Sequence, residues 1–93
     1  MSPPDVRSRL AALVASQAHP PFTADAITDD TALLGGGLDL DSLSLLDLVV
    51  SIEEQFDVKV AAADVTPTHF GTFGALAAYV GARVESTEEQ RRD

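Results

Sequence analysis

The chain has 93 residues, 45% hydrophobic and 23% charged, a mix that fits one small globular domain with a single modest core and excludes a disordered chain. Fifteen acids against six bases give a formal net charge of -9, so nucleic-acid backbones and anionic membrane surfaces would be repelled and basic partners are expected. With no cysteine and only two histidines, His19 and His69, a disulfide framework, a thiolate nucleophile and a Cys/His zinc site are all excluded.

The chain opens Met1-Ser2-Pro3-Pro4-Asp5 with neither a basic stretch nor an apolar leader, and no apolar run approaches the ~18 residues of a membrane span, so the expectation is a cytoplasmic protein. Val6, Leu10, Leu13, Val14 and Gln17 repeat at the spacing of one helix face and predict a first helix over about residues 4–18, stopped by Pro20-Pro21. Residues 22–41 mix Asp and Thr with Gly35-Gly36-Gly37 and scattered Ile27, Leu33, Leu34 and Leu38. Such a long connection is expected to hold a single helical turn near residues 31–34. A second helix runs unbroken from Asp41 or Ser42 to Phe56, followed by an extended stretch at residues 57–60. Thr66-Pro67 starts a short helix ending near Phe70-Gly71. Thr72 then caps a last helix through Val84, with Phe73, Leu76, Ala77, Val80 and Val84 on one face. Residues 85–93 have no hydrophobic side chain and are expected to form a frayed polar tail, leaving residues 1–84 as the domain.

The second helix carries two apolar sets. Leu45, Leu48, Val49, Ile52 and Phe56 fall in one narrow sector and make a core stripe. Leu43, Leu46 and Val50 fall on the other half, interleaved with Asp47, Glu53, Glu54 and Asp57. From Asp39 to Asp57 there are six acids and no Lys or Arg, which makes the second set an apolar strip with an anionic rim, suited to docking on basic, grooved surfaces. The plainer alternative is that the acids solvate the helix and the strip packs under the preceding loop, with Leu43 the residue that loop would cover most.

Around Ser42 the chain reads Gly37-Leu38-Asp39-Leu40-Asp41-Ser42-Leu43, followed by Leu48-Val49, Ile52-Glu53-Glu54, Phe56 and Phe70-Gly71-Thr72. This pattern resembles the acyl carrier protein family over about residues 6–84. The resemblance implies an all-α, four-helix carrier fold of three longer helices and one short one. It implies Ser42 as the residue to which a phosphopantetheinyl transferase attaches a 4'-phosphopantetheine arm from coenzyme A, with Leu43, Leu46, Asp47, Val50, Glu53 and Glu54 as docking positions. The implied protein is a non-catalytic, monomeric carrier that presents thioester-linked acyl groups to acyl-loading and acyl-processing enzymes. Its arm would be the only thiol.

A phosphodiester on a Ser at a helix N-terminus meets free backbone N–H groups and the positive dipole end. Asp41 supports modification in this reading, by helping to bind the magnesium ion a transferase brings; the plain alternative is helix capping. The Leu38-Asp39-Leu40 spacing before Asp41 is longer than the family's common Gly-x-Asp-Ser, which bears on the course of the loop. The Val65-Thr66-Pro67 and Phe70-Gly71-Thr72-Phe73 phrases are similar to stand-alone carriers of actinobacterial specialised metabolism. That favours a polyketide-type or unusual-extender-unit carrier, with an aminoacyl or peptidyl carrier and an unmodified acidic interaction module as alternatives.

Other chemistries fail on the residues. Ser42 lacks a Gly-x-Ser-x-Gly elbow and a base suited to a triad, and both histidines read as solvent-facing. Asp39 and Asp41 could begin a calcium loop, but its fifth, sixth and twelfth positions would be Leu43, Ser44 and Val50. The three glycines at 35–37 have no following Lys, so no phosphate-cradling loop is expected.

Overall fold

The first helix, α1 (Asp5–Gln17), buries Val6, Leu10, Leu13 and Val14 as its spacing predicts, and Ala11 and Ala15 widen that face enough to touch two other helices. A computed structural model describes residues 5–17, 23–34 and 41–91. The expected helix start at Pro4 and the stop at Pro20-Pro21 lie outside the described residues, as do His19, Gly35-Gly36-Gly37 and Leu38-Asp39-Leu40. The other helices are α2 (Ser42–Phe56), the short α3 (Pro67–Phe70) and α4 (Phe73–Arg91), with 3-10 turns at Ala24–Ala26 and Ala62–Asp64. This is the all-α arrangement of three longer helices and one short one. α1 packs against α2 and α4, and α3 packs against α4. Between them lies one core in which Leu10, Val14, Leu33, Leu48, Ile52, Phe70, Phe73, Leu76 and Val80 are almost wholly enclosed.

Each end of α2 has a local cause. Asp41 precedes it with extended backbone (φ -82°, ψ 176°), and its carboxylate accepts the Ser44 N–H at 2.7 Å while its carbonyl accepts that of Leu45. Asp57 closes the helix in the left-handed region (φ 54°, ψ 50°), and the N–H groups of Asp57 and Val58 return to the Glu53 carbonyl. Asp57, expected to begin an extended stretch, is instead this left-handed cap, and residues 58–60 after it belong to no helix or strand, with Val58 and Val60 buried and Lys59 exposed between them.

The turn expected at residues 31–34 forms earlier, at Ala24–Ala26. Residues 28–31 close a turn, with the Thr31 N–H donating to the Thr28 carbonyl, and the chain goes no further into a helix because its backbone is paired with the α3–α4 junction: Phe73 N–H donates to the Thr31 carbonyl, Gly74 N–H to that of Asp29, and Leu33 N–H to that of Gly71, with Ala32 bridged to Thr72. Ile27 and Leu33 are buried beneath this seam, and an Arg7–Asp29 ion pair closes it at the surface, with the Arg7 guanidinium over the Phe73 ring. Gly71 sits where the chain turns from α3 into α4, and a Cβ there would overlap the Pro67 carbonyl oxygen. Thr72 caps α4 as expected, its Oγ1 accepting the Ala75 N–H at 3.2 Å.

The last helix corrects a second expectation. Residues beyond Val84 do not leave the fold as a frayed tail at once; α4 continues to Arg91. Glu85 to Arg91 has no Gly or Pro, and adding residues to a helix already anchored by Leu76, Val80 and Val84 needs no new nucleus. Among the described residues no helix is long and apolar enough to cross a membrane.

Candidate functional site

Ser42 is the first residue of α2 and is exposed. The first-turn N–H groups of an α-helix have no intrahelical acceptor, so this end of a 15-residue helix is electropositive and suits a covalently attached anion. Asp41 takes the Ser44 N–H for the cap, which keeps the helix start in register and directs Ser42 away from the core. Plain helix capping is therefore a role Asp41 does fill. Among the described residues Ser44, two positions after Ser42, is the only buried polar one.

The two faces expected of α2 are both present. Leu48, Ile52 and Phe56 are buried, and Leu45 and Val49 pack against them partly covered. On the other face Leu43, Leu46 and Val50 are the chain's exposed large hydrophobics among the described residues, at 70%, 59% and 51%. In the plainer alternative Leu43 is the residue the loop would cover most, and it is instead the most exposed of the three. Asp47 and Glu54 are exposed beside the strip. At ~100° per residue, Leu43, Leu46, Asp47, Val50 and Glu54 share a sector of about 100°.

Glu53 is placed differently from the other docking candidates. It is partly buried at the margin between strip and core, and its Oε2 accepts the Val60 N–H at 2.9 Å. The sequence offered one signal for it: the alternation Val58-Lys59-Val60 just after α2 brings backbone N–H groups toward the core, where they need acceptors.

His69 also departs from expectation. It is not a free surface side chain but lies against Tyr79, ring centroids 4.7 Å apart, and the Tyr79 hydroxyl donates to Asp64 Oδ2 at 2.7 Å. Burial raises the Tyr79 pKa above that of an ordinary phenol, and the hydrogen bond to the Asp64 carboxylate adds to it. None of these groups neighbours Ser42 in sequence, and no hydrogen bond joins His69 to Ser42. Among the described residues no group of three or more His, Asp or Glu could hold a metal ion.

A family model described as a phosphopantetheine attachment site matches residues 8–80, a span that runs from α1 into α4 and includes the whole of α2. No curated protein matches the chain.

Proposed function

The chain belongs to the phosphopantetheine attachment-site family, whose members carry a covalent 4'-phosphopantetheine, and from this we propose that it is an acyl carrier with Ser42 as the attachment residue. The observation that carries the assignment is the exposed Ser42 hydroxyl at the first position of α2, inside the matched span and next to the Asp41 cap. The prosthetic group supplies the terminal thiol on which acyl groups are held as thioesters, a group the polypeptide lacks. Ser42 provides the oxygen that anchors the arm. The backbone N–H groups of the first turn stabilise its phosphodiester, and Asp41 keeps that turn formed. We assign Asp41 a further role in modification, as a carboxylate near the magnesium ion that a transferase brings.

In this reading the protein is a cytoplasmic monomer and not itself an enzyme. Its partners are a phosphopantetheinyl transferase and the acyl-loading and acyl-processing enzymes that share the arm. The exposed strip of Leu43, Leu46 and Val50, edged by Asp47 and Glu54, supports docking on basic surfaces in which charge speeds encounter and a few apolar contacts give modest affinity. We place the carrier in polyketide or other specialised-metabolite assembly, with an unusual extender unit as cargo. An aminoacyl carrier differs from this in what is loaded, not in the arm.

The test is intact mass after incubation with coenzyme A and a broad-specificity phosphopantetheinyl transferase, beside Ser42→Ala. The wild type gains one phosphopantetheine and the variant none. A folded wild type that gains no mass, with a transferase shown to be active on another carrier, leaves only an acidic interaction module.

A further inference from the structure

Glu53 is one of three acids on α2, and the other two, Asp47 and Glu54, are exposed to solvent. Charge alone would give all three the same role. The geometry separates them.

Glu53 collects the loose backbone donors at the end of α2. Its carbonyl accepts the N–H groups of Asp57 and Val58, and its carboxylate reaches past the end of the helix to accept that of Val60 at 2.9 Å. These three donors belong to the segment that leaves α2, reverses through the left-handed Asp57 and lays Val58 and Val60 into the core. An N–H at this partly buried place without an acceptor would oppose the burial of Val60. The same segment is held from its other side by Arg83, whose Nε donates to the Lys59 carbonyl at 3.1 Å. The Glu53 carboxylate thus spans the gap between the helix end and the chain that follows.

We propose that Glu53 is an internal brace for the connection between α2 and α3, and that the docking charge of α2 is carried by Asp47 and Glu54 without it. The second half rests on the carrier reading given above; the first half does not. Glu53 acts on partner enzymes as a positioning residue, by keeping the C-terminal end of the docking helix formed, and not by meeting their basic groups.

Two substitutions at Glu53 separate acceptor from charge. Glu53→Gln keeps a carbonyl oxygen that can accept from Val60 and removes the charge; Glu53→Ala removes both. Thermal unfolding, amide hydrogen exchange at Val60, and KM for transferase modification at about 0.15 M salt, where charges beyond ~8 Å are largely screened, are measured for both and for Asp47→Asn and Glu54→Gln. Glu53→Ala is expected to lower Tm by about 5 °C and to speed exchange at Val60, and Glu53→Gln to restore most of both. Glu53→Gln should leave KM within about twofold, while Asp47→Asn and Glu54→Gln raise it more than about threefold with Tm unchanged.

A KM for Glu53→Gln raised as far as that for Asp47→Asn, with Tm intact, overturns the proposal, as does unchanged Val60 protection in Glu53→Ala. Unaltered KM for both Asp47→Asn and Glu54→Gln overturns the assignment of docking charge. If the wild type is not modified at all, the carrier reading fails, and exchange at Val60 still decides the brace.

Discussion

The Tyr79 hydroxyl on α4 donates a 2.7 Å hydrogen bond to Asp64 Oδ2 in the 3-10 turn before α3, so the connection that leaves α2 is fastened to the last helix. His69 and Phe70 of α3 lie against the same Tyr79 ring, at centroid distances of 4.7 and 6.2 Å. One side chain therefore holds both the turn and the short helix that follows it.

Tyr79→Phe keeps the ring contacts and removes the hydroxyl, and is expected to destabilise the fold by about 1 kcal/mol in chemical denaturation. Because the folded-state pKa of Tyr79 is raised by burial and by Asp64, its contribution is fully present below the unfolded phenol value near pH ~10 and is lost as pH rises through the higher folded value. The chain has one Tyr and no Trp, so ultraviolet titration follows this group alone. A wild-type phenol that titrates at the pKa of the unfolded chain would contradict the linkage.

Asp41→Ala removes the acceptor for the Ser44 N–H, and a lost N-cap is expected to lower stability by about 1 kcal/mol. Asp41→Asn, which still caps, should recover that stability. If Asp41 also serves the transferase through magnesium, both variants are modified more slowly, and the Asn variant shows the effect without the stability loss. Parallel rate assays and melts read the two roles separately, and a fully active Asn variant would leave capping as the whole of its function.

Leu46 and Val50 are exposed, and Leu46→Ala and Val50→Ala should change stability by less than about 0.5 kcal/mol. They are expected to raise KM for the transferase, since apolar contacts give docking most of its affinity. Leu48→Ala lies one position away from Asp47 but wholly inside, and should cost about 2–5 kcal/mol. Urea melts and modification kinetics on the same preparations give the contrast, and a Leu46 variant that melts like the Leu48 one would show that the strip is structural.

Gly71→Ala is expected to destabilise by more than about 1 kcal/mol, because the added methyl meets the Pro67 carbonyl oxygen and the chain must shift where α3 turns into α4. Leu33 N–H donates to the Gly71 carbonyl, so the shift also loosens the long loop. Faster amide exchange at Leu33 than in the wild type would show that coupling.

The helices were legible because their signals are local. Apolar spacing in α1 and α2, Asp41 and Thr72 as caps and Pro67 at the start of α3 each act within one or two turns. Both faces of α2 were also legible, since the angular order of its residues follows from the helical period alone. What could not be read depends on pairing across the chain. Residues 29–33 were placed by backbone partners some forty residues away, at Gly71 to Gly74, and that seam displaced the expected turn. The ring contact of His69 and the engagement of Glu53 needed the positions of Tyr79 and Val60, which no spacing within their own helices discloses. The continuation of α4 to Arg91 was underestimated because residues 85–91 were judged by their lack of a core face, whereas an existing helix extends on propensity.

The opposed stripes of α2 divide a single element between two independent demands. Leu48, Ile52 and Phe56 answer to interior volume, where a change of one methylene is felt, while Leu43, Leu46 and Val50 answer only to whatever surface they meet. A lineage of such proteins can thus drift toward new enzymes by altering the outer stripe alone, and keep its architecture while its associations change.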